Sequence, residues 1–368
     1  MTWRFVRILI ALCAAVAGPL AMAQPAGALG DDFIYRIQQG DTLIHLAGRY
    51  TRNESNWAAL QRLNTVEDPY RLVIGSELRI PLSMIPVVAA PTVAVHVSGP
   101  ATVDGSPLRE GMPVAEGSTI ITEANGFVTL QLADGTKVTL PQQGSTYLER
   151  LRQFEGSALT DSILRVQDGV VDSNVAPEGQ GVGRFEVRTP VAVTGVRGTR
   201  FRVRASAEGA RSEVLEGSVR LLPHARGSAP GRPVAVPTGY GAAIGADGVL
   251  RGVHALLPAP QLGAPQRAGS GQWTAPVLPV PGAVAYQVQV SRDADGLELT
   301  SSSRFDTPDI RFSAPGGGTY YVAVRAIDAA GMGGRDARLT FEGANVLMTV
   351  SGLPVTLSDG GVVTLADY

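Results

Sequence analysis

The residues able to do chemistry are few and scattered. The four histidines, His45, His96, His224 and His254, lie far apart, and the single cysteine is Cys13. An enzyme needs a nucleophile, acid or base that converge on one point. The chain has no HExxH, GxSxG or paired Cys/His spacing. Its acidic residues sit mostly at turn positions, so no pair of carboxylates is singled out for glycosidase-type chemistry. The expectation is no catalytic residue, no metal ligand and no cofactor. The most suggestive stretch is TPVAVTGVRGTRFRV, Thr189 to Val203. Arg197 and Arg200 could grip a carboxylate or phosphate on a partner, or pair across a sheet with Glu186, Glu213 or Glu216. GVRGTR lacks the spacing and the lysine of a phosphate-binding loop. Glycines inside a strand pattern predict a bend instead, at Gly195 and Gly198.

Composition narrows the class. The chain has 368 residues, room for two or three domains. A formal net charge of −2 gives no basic excess for nucleic acid. With 44 glycines and 25 prolines it is rich in turns. The opening MTWRFVRILIALCAAVAGPLAMAQ reads as a secretory signal: Arg4 and Arg7 precede the apolar Ile8–Ala17, and Ala21-Met22-Ala23 offers a cleavage site. Removing residues 1–23 would leave no cysteine, hence no disulfide or thiolate site, and a charge of −4. No later run is long enough to span a bilayer as a helix.

Three segments must position whatever binds. In the first, Phe33–Ile37 alternates as a strand, Gly40 turns, and Asp41 can cap a helix carrying Leu43, Leu46, Ala47 and Tyr50. Trp57, Leu60 and Leu63 mark a second helix, and Glu77–Ile80 a second strand, giving a small α+β unit of order βααβ. Tyr35, Gly40-Asp41-Thr42-Leu43, Ala47, Leu60…Leu63-Asn64, and Ile74-Gly75 followed by Leu78-Arg79-Ile80-Pro81 resemble a LysM domain. That resemblance implies binding of peptidoglycan or another N-acetylglucosamine-containing glycan in a shallow groove between two loops. Its residues would be Gly40, Asp41, Thr42, Leu43, Arg71, Leu72, Val73, Ile74 and Gly75. Asp41 could touch the sugar or serve only as a helix cap. Leu43 and Ile74 could cover the acetyl methyl while loop backbone groups match the amide. His45 reads as a surface residue.

Helical periodicity then disappears. FVTLQLADGTKVTL, SILRVQDGVVDSNV and SEVLEGSVRLL read as strand pairs about Asp134-Gly135, Asp168-Gly169 and Glu216-Gly217. With VSGPATVDGSPLREG before them, they predict an all-β domain. LADGTKVTL, TPVAVTGVRGTRFRV and VLEGSVRLL are similar to the FecR domain, which implies a periplasmic role in passing a signal to a membrane-bound regulator. From Trp273, WTAPVLPVPGAVAYQVQVSRD and TYYVAVRAIDAAGMGG alternate around Tyr286, Val288, Val290, Tyr320, Val322 and Val324, and look like a fibronectin type III or related β-sandwich. Trp273 and Tyr320 are expected in its core.

The expected organisation is multidomain and mainly β. It runs as signal peptide 1–23, LysM module 31–82, linker 83–94, FecR-like all-β domain 95–222, Gly/Pro-rich flank 223–262, fibronectin type III-like sandwich 268–343, and C-terminal hairpin or tail 344–368. The function implied is a non-catalytic exported protein of the periplasm of a Gram-negative bacterium. It would bind peptidoglycan and present β domains to other envelope proteins, with no nucleic-acid partner and no transmembrane segment in the mature chain. The alternative is an envelope signalling component.

Overall fold

A computed structural model describes residues 28–29, 32–157, 159–177, 182–196, 198–224, 231–269, 272–314, 317–343, 355 and 363. The expected signal peptide, Arg197 and nearly all of the 344–368 tail lie outside the described residues. Within that tail, Val363 N–H donates to the Val355 carbonyl at 2.9 Å. The chain is mainly β, with a small α+β region near its start.

In the N-terminal region, strand Asp32–Arg36 pairs antiparallel with Glu77–Pro81, and helices Leu43–Thr51 and Trp57–Asn64 pack beside them. The apolar positions of the sequence pattern, Tyr35, Leu43, Leu46, Ala47, Tyr50, Leu60, Leu78 and Ile80, make one core. Thr42, not Asp41, caps the first helix: its backbone is extended and its Oγ1 accepts the His45 N–H at 3.2 Å. Asp41 Oδ2 instead accepts from Gln38 N at 2.7 Å and from the Tyr35 hydroxyl at 2.8 Å, pinning the turn before the helix.

This core does not close on itself. The long strands Gly144–Phe154 and Thr160–Asn174 form a hairpin whose tip supplies Phe154 and Leu159, both buried among the N-terminal residues. Within the expected linker, Val87–Ala89 runs as a strand paired to Arg152–Phe154.

The middle strands close into one barrel around a core that includes Val128, Leu130, Leu164, Phe185, Phe201 and Val203. The expected turn at Asp134-Gly135 joins paired strands, and so does Asp104-Gly105 within VSGPATVDGSPLREG. Asp104 and Gly105 both have positive φ, 49° and 78°, as a type I′ turn requires. The other two expected hairpins are corners. Thr160–Asn174 is one continuous strand: up to Asp168 it pairs with Gly144–Phe154, and from Gly169 it pairs with Arg200–Ser206. Gly169 bends at φ +93°, where an added Cβ would sit 2.6 Å from Gly144 Cα. At Gly217 the chain likewise changes sheets, because Gly209–Glu216 pairs with Arg200–Ser206 while Ser218–Pro223 pairs with Ala192–Val196.

VTGVRGTRF is a third corner. Gly195 sits in unbroken register with Glu186 and Arg220, so it is not the bend. Gly198, at φ +53°, is where the chain leaves one sheet for the other.

The C-terminal region is two facing sheets. One holds Gln266–Gly269, Gln272–Ala275 and Ile310–Ser313. The other holds, in order, Leu299–Phe305, Ala283–Ser291, Gly318–Asp328 and Ala337–Gly343. Tyr286, Val288, Val290, Phe312, Tyr320, Val322 and Val324 fill the space between them, with the Trp273 ring tilted against Phe341 at 4.6 Å between centroids. The four-stranded sheet is also covered on its outer face by the barrel. Across that seam His96 Nε2 lies 2.9 Å from the Leu299 carbonyl, and Gln142 Nε2 donates to the Ser302 carbonyl at 2.9 Å.

Candidate functional site

The loop before the first helix and the loop after the second helix meet on the surface of the N-terminal region. Leu43 N–H donates to the Pro69 carbonyl at 3.0 Å, and Gly75 N–H donates to the Ile37 carbonyl at 2.8 Å. These two backbone bonds hold residues 38–43 against residues 69–76. Gly40 and Gly75 take φ +91° and +82°, and an added Cβ would meet nothing at either. The requirement there is conformational, and the surface above both is open.

The second loop is braced from within. Asp68 Oδ1 accepts from Tyr70 N at 2.9 Å, and the Val73 carbonyl accepts both Ser76 N–H, at 3.1 Å, and Ser76 Oγ, at 2.7 Å. That bracing holds three large apolar side chains in water: Tyr70 is 66% exposed, Val73 72% and Ile74 64%. Apolar side chains fixed outward on a rigid loop form a binding platform more readily than a folding element. Arg71 is exposed beside them.

The expected site residues therefore divide. Gly40, Arg71, Val73, Ile74 and Gly75 lie at the surface of the loop pair, with Asp41, Thr42 and Leu72 half-buried. Leu43 is fully buried, because the first residue of the helix faces the core. Its side chain is not available to cover a ligand, although its backbone ties the loops. Tyr70 was not singled out from sequence. The signal was present: in EDPYR, an aromatic follows a proline turn with no apolar partner at strand or helix spacing. His45 is exposed, as expected.

Beneath the site, burial and then the hydrogen bond to Asp41 push the Tyr35 phenol up to about 12. The phenol stays protonated at neutral pH and donates to Asp41, so the base of the turn is fixed.

The arginine strand is placed elsewhere. Arg200, Arg202 and Arg204 alternate with the core residues Phe201, Val203 and Ala205 and face the seam with the C-terminal sheets. Arg200 Nη2 donates to the Asp295 carbonyl at 3.2 Å. Glu216 is its neighbour across the strands, but Glu213 pairs with Arg202. No group of three or more His, Cys, Asp or Glu able to hold a metal occurs among the described residues. No described helix is long and apolar enough to cross a membrane.

Comparison with known proteins agrees with this division. Residues 35–81 match the LysM domain model, and residues 118–220 match the FecR protein model. Two crystal structures of a Parabacteroides distasonis protein described as an anti-sigma factor are similar at 20% identity and a TM-score of 0.30. Each likeness covers 37% of this chain and 59% of that one, too slight a likeness to carry a functional argument. No curated protein matches the sequence. The chain thus joins a region matching the LysM model to one matching the FecR model, two families of non-catalytic binding or signalling domains.

Proposed function

We propose that this chain is an exported, non-catalytic protein of the Gram-negative periplasm that grips peptidoglycan on the loop pair 38–43 and 69–76. The observation that carries the reading is the outward Tyr70-Val73-Ile74 platform on a loop clamped by the Leu43–Pro69 hydrogen bond. An N-acetylglucosamine unit offers an apolar ring face and methyl to such side chains, and amide and hydroxyl groups to the loop backbone. Gly40, Asp41, Thr42, Leu43 (by its backbone), Arg71, Leu72, Val73, Ile74 and Gly75 would line the site. A shallow platform buries little ligand surface, so one module binds weakly.

The remaining units would present surfaces to other envelope proteins. The three-plus-four strand arrangement around Tyr286 and Tyr320 supports a fibronectin type III-like reading of 268–343. A second reading, envelope signalling through the FecR region, gains support from one feature. The hairpin tip Phe154–Leu159 is part of the glycan-binding module's core, so that module is packed onto the barrel and not strung from it.

Sedimentation with purified peptidoglycan tests the first reading. The intact chain should be retained, and a variant carrying Tyr70→Ser and Ile74→Asp should stay in the supernatant. Equal retention of both, or of neither, ends the proposal. Point variants are the right instrument, because deleting residues 33–82 would strip the cover from Phe154 and Leu159.

A further inference from the structure

The seam between barrel and sandwich sets Arg202, Arg204 and Arg325 against Glu213, Asp336 and Asp172, yet leaves buried guanidinium N–H groups without acceptors. A cavity of about 20 Å³ lies there, lined by Arg202, Arg204, Glu213, Gln287, Arg325 and neighbouring glycines. Arg202 is 2% exposed. Its Nη2 donates to the Gly334 carbonyl at 3.0 Å, but its Nε and Nη1 make no hydrogen bond.

The nearby acids are already engaged. Glu213 Oε1 accepts Gly333 N–H at 2.5 Å, and its Oε2 stands 3.3 Å from Arg202 Nη1 without hydrogen-bond geometry. Asp336 Oδ1 accepts from Arg325 Nη1 at 3.0 Å, and its Oδ2 lies 3.6 Å from Arg202 Nη2. Asp172 is the cross-strand neighbour of Arg202 and makes no ion pair with it. Arg211 bonds Glu208. Arg204 is half-buried and has no hydrogen bond or ion pair among the described residues.

We propose that this cavity binds one small monovalent inorganic anion of chloride size, held between the Arg202 Nε and Nη1 groups and the Arg204 guanidinium. Room and local charge select the ligand. The cavity admits a water-sized sphere, and Glu213 already stands 3.3 Å from Arg202 Nη1, so the donors left over suit one monovalent ion better than a dianion. The unbonded donors select its sign, because buried N–H groups without an acceptor are costly and an anion accepts from them. Position gives it a role. Arg202 and Arg204 belong to the barrel strand Arg200–Ser206, and Arg325 to the sandwich strand Gly318–Asp328, so the anion would lock the two units.

Thermal unfolding of the full chain tests this, in sodium chloride, bromide, sulfate and gluconate at one ionic strength. Chloride and bromide should raise Tm over gluconate by about 2–4 °C, saturably, while sulfate, which stabilises folded proteins by exclusion from their surface, should raise it without saturating. Arg204→Met should abolish the difference, and Arg251→Met, at an exposed ion pair elsewhere, should keep it. Equal Tm values in chloride and gluconate, or an equal chloride effect in folded Arg204→Met, would overturn the proposal. If Arg204→Met does not fold, wild-type crystals soaked in bromide decide: an anomalous peak between Arg202 and Arg204 supports the site, and no peak refutes it.

Discussion

Arg52 Nε lies 2.9 Å from Glu155 Oε2, joining the first helix of the N-terminal region to the tip of the barrel's long hairpin. The pair is the visible part of a junction whose energy lies beneath it. Arg52 is mostly exposed, and such pairs contribute about 0–1 kcal/mol. Phe154 and Leu159 next to it are buried among Tyr50, Leu82 and Ile85. Removing a buried phenylalanine side chain costs about 3–5 kcal/mol. Phe154→Ala should therefore destabilise the N-terminal region by that order in urea unfolding, and Glu155→Ala by less than about 1 kcal/mol. Similar effects from both would mean that the hairpin tip is not part of the core.

Ile74 and Leu43 should separate binding from folding. Ile74 projects into water, so Ile74→Asp should leave the unfolding midpoint within about 0.5 kcal/mol of the parent. It should weaken binding of N-acetylglucosamine oligomers about tenfold in calorimetry. Leu43 is fully buried, and Leu43→Ala should cost about 2–5 kcal/mol and lower binding only through unfolding. Unchanged binding by the Ile74 variant would remove that residue from the site.

What the sequence revealed followed from period and chirality. Helical spacing placed Leu43, Leu46, Ala47 and Tyr50 in a core, and strand alternation placed Tyr286 to Val290 in another. Asp-Gly pairs were ambiguous. At Asp104-Gly105 and Asp134-Gly135 they close hairpins, yet at Asp168-Gly169 the same pair lets one strand serve two sheets. Both uses need positive φ, and only the strand's distant partners tell them apart. Gly195 and Gly198 show the same limit three residues apart, one lying in regular strand and one at the corner. The arginine face at 200, 202 and 204 was legible as alternation. Its burial was not, because Asp336 and Arg325 reach it from more than a hundred residues along the chain.

Asp336 should set the acid limit of the seam. Burial alone would raise its pKa, but the Arg202 and Arg325 charges outweigh burial and hold it down at about 2. A carboxyl depressed in the folded state adds stability above the ordinary aspartate range near 4 and loses it as pH falls through about 2. Barrel and sandwich should unfold as one transition in calorimetry at pH 5, and Asp336→Asn should split or lower it by about 3–5 kcal/mol by leaving two buried guanidinium groups short of a counter-charge. An unshifted single transition for the variant would show that Asp336 does not hold the seam.

Tyr35 gives the opposite sign at the other end of the pH scale. Its phenol is raised to about 12, first by burial and then by donating to Asp41. In the unfolded chain the phenol loses its proton near pH 10, while the folded chain keeps it. The contribution to stability is therefore complete below pH 10 and disappears as pH rises from about 10 to 12, an effect of order 2 kcal/mol. Tyr35→Phe keeps the ring against Phe33 and Tyr50, at 6.4 and 5.4 Å between centroids, but removes the titrating group and the bond to Asp41. It should cost about 1–2 kcal/mol at pH 7 and flatten the alkaline slope. Because Asp41 Oδ2 would retain only Gln38 N–H, the turn should loosen and glycan binding weaken even where the module stays folded. Urea unfolding at pH 7 and at pH 11, with calorimetry of binding at pH 7, separates the two effects. An alkaline slope as steep in the variant as in the parent would place the titrating group elsewhere.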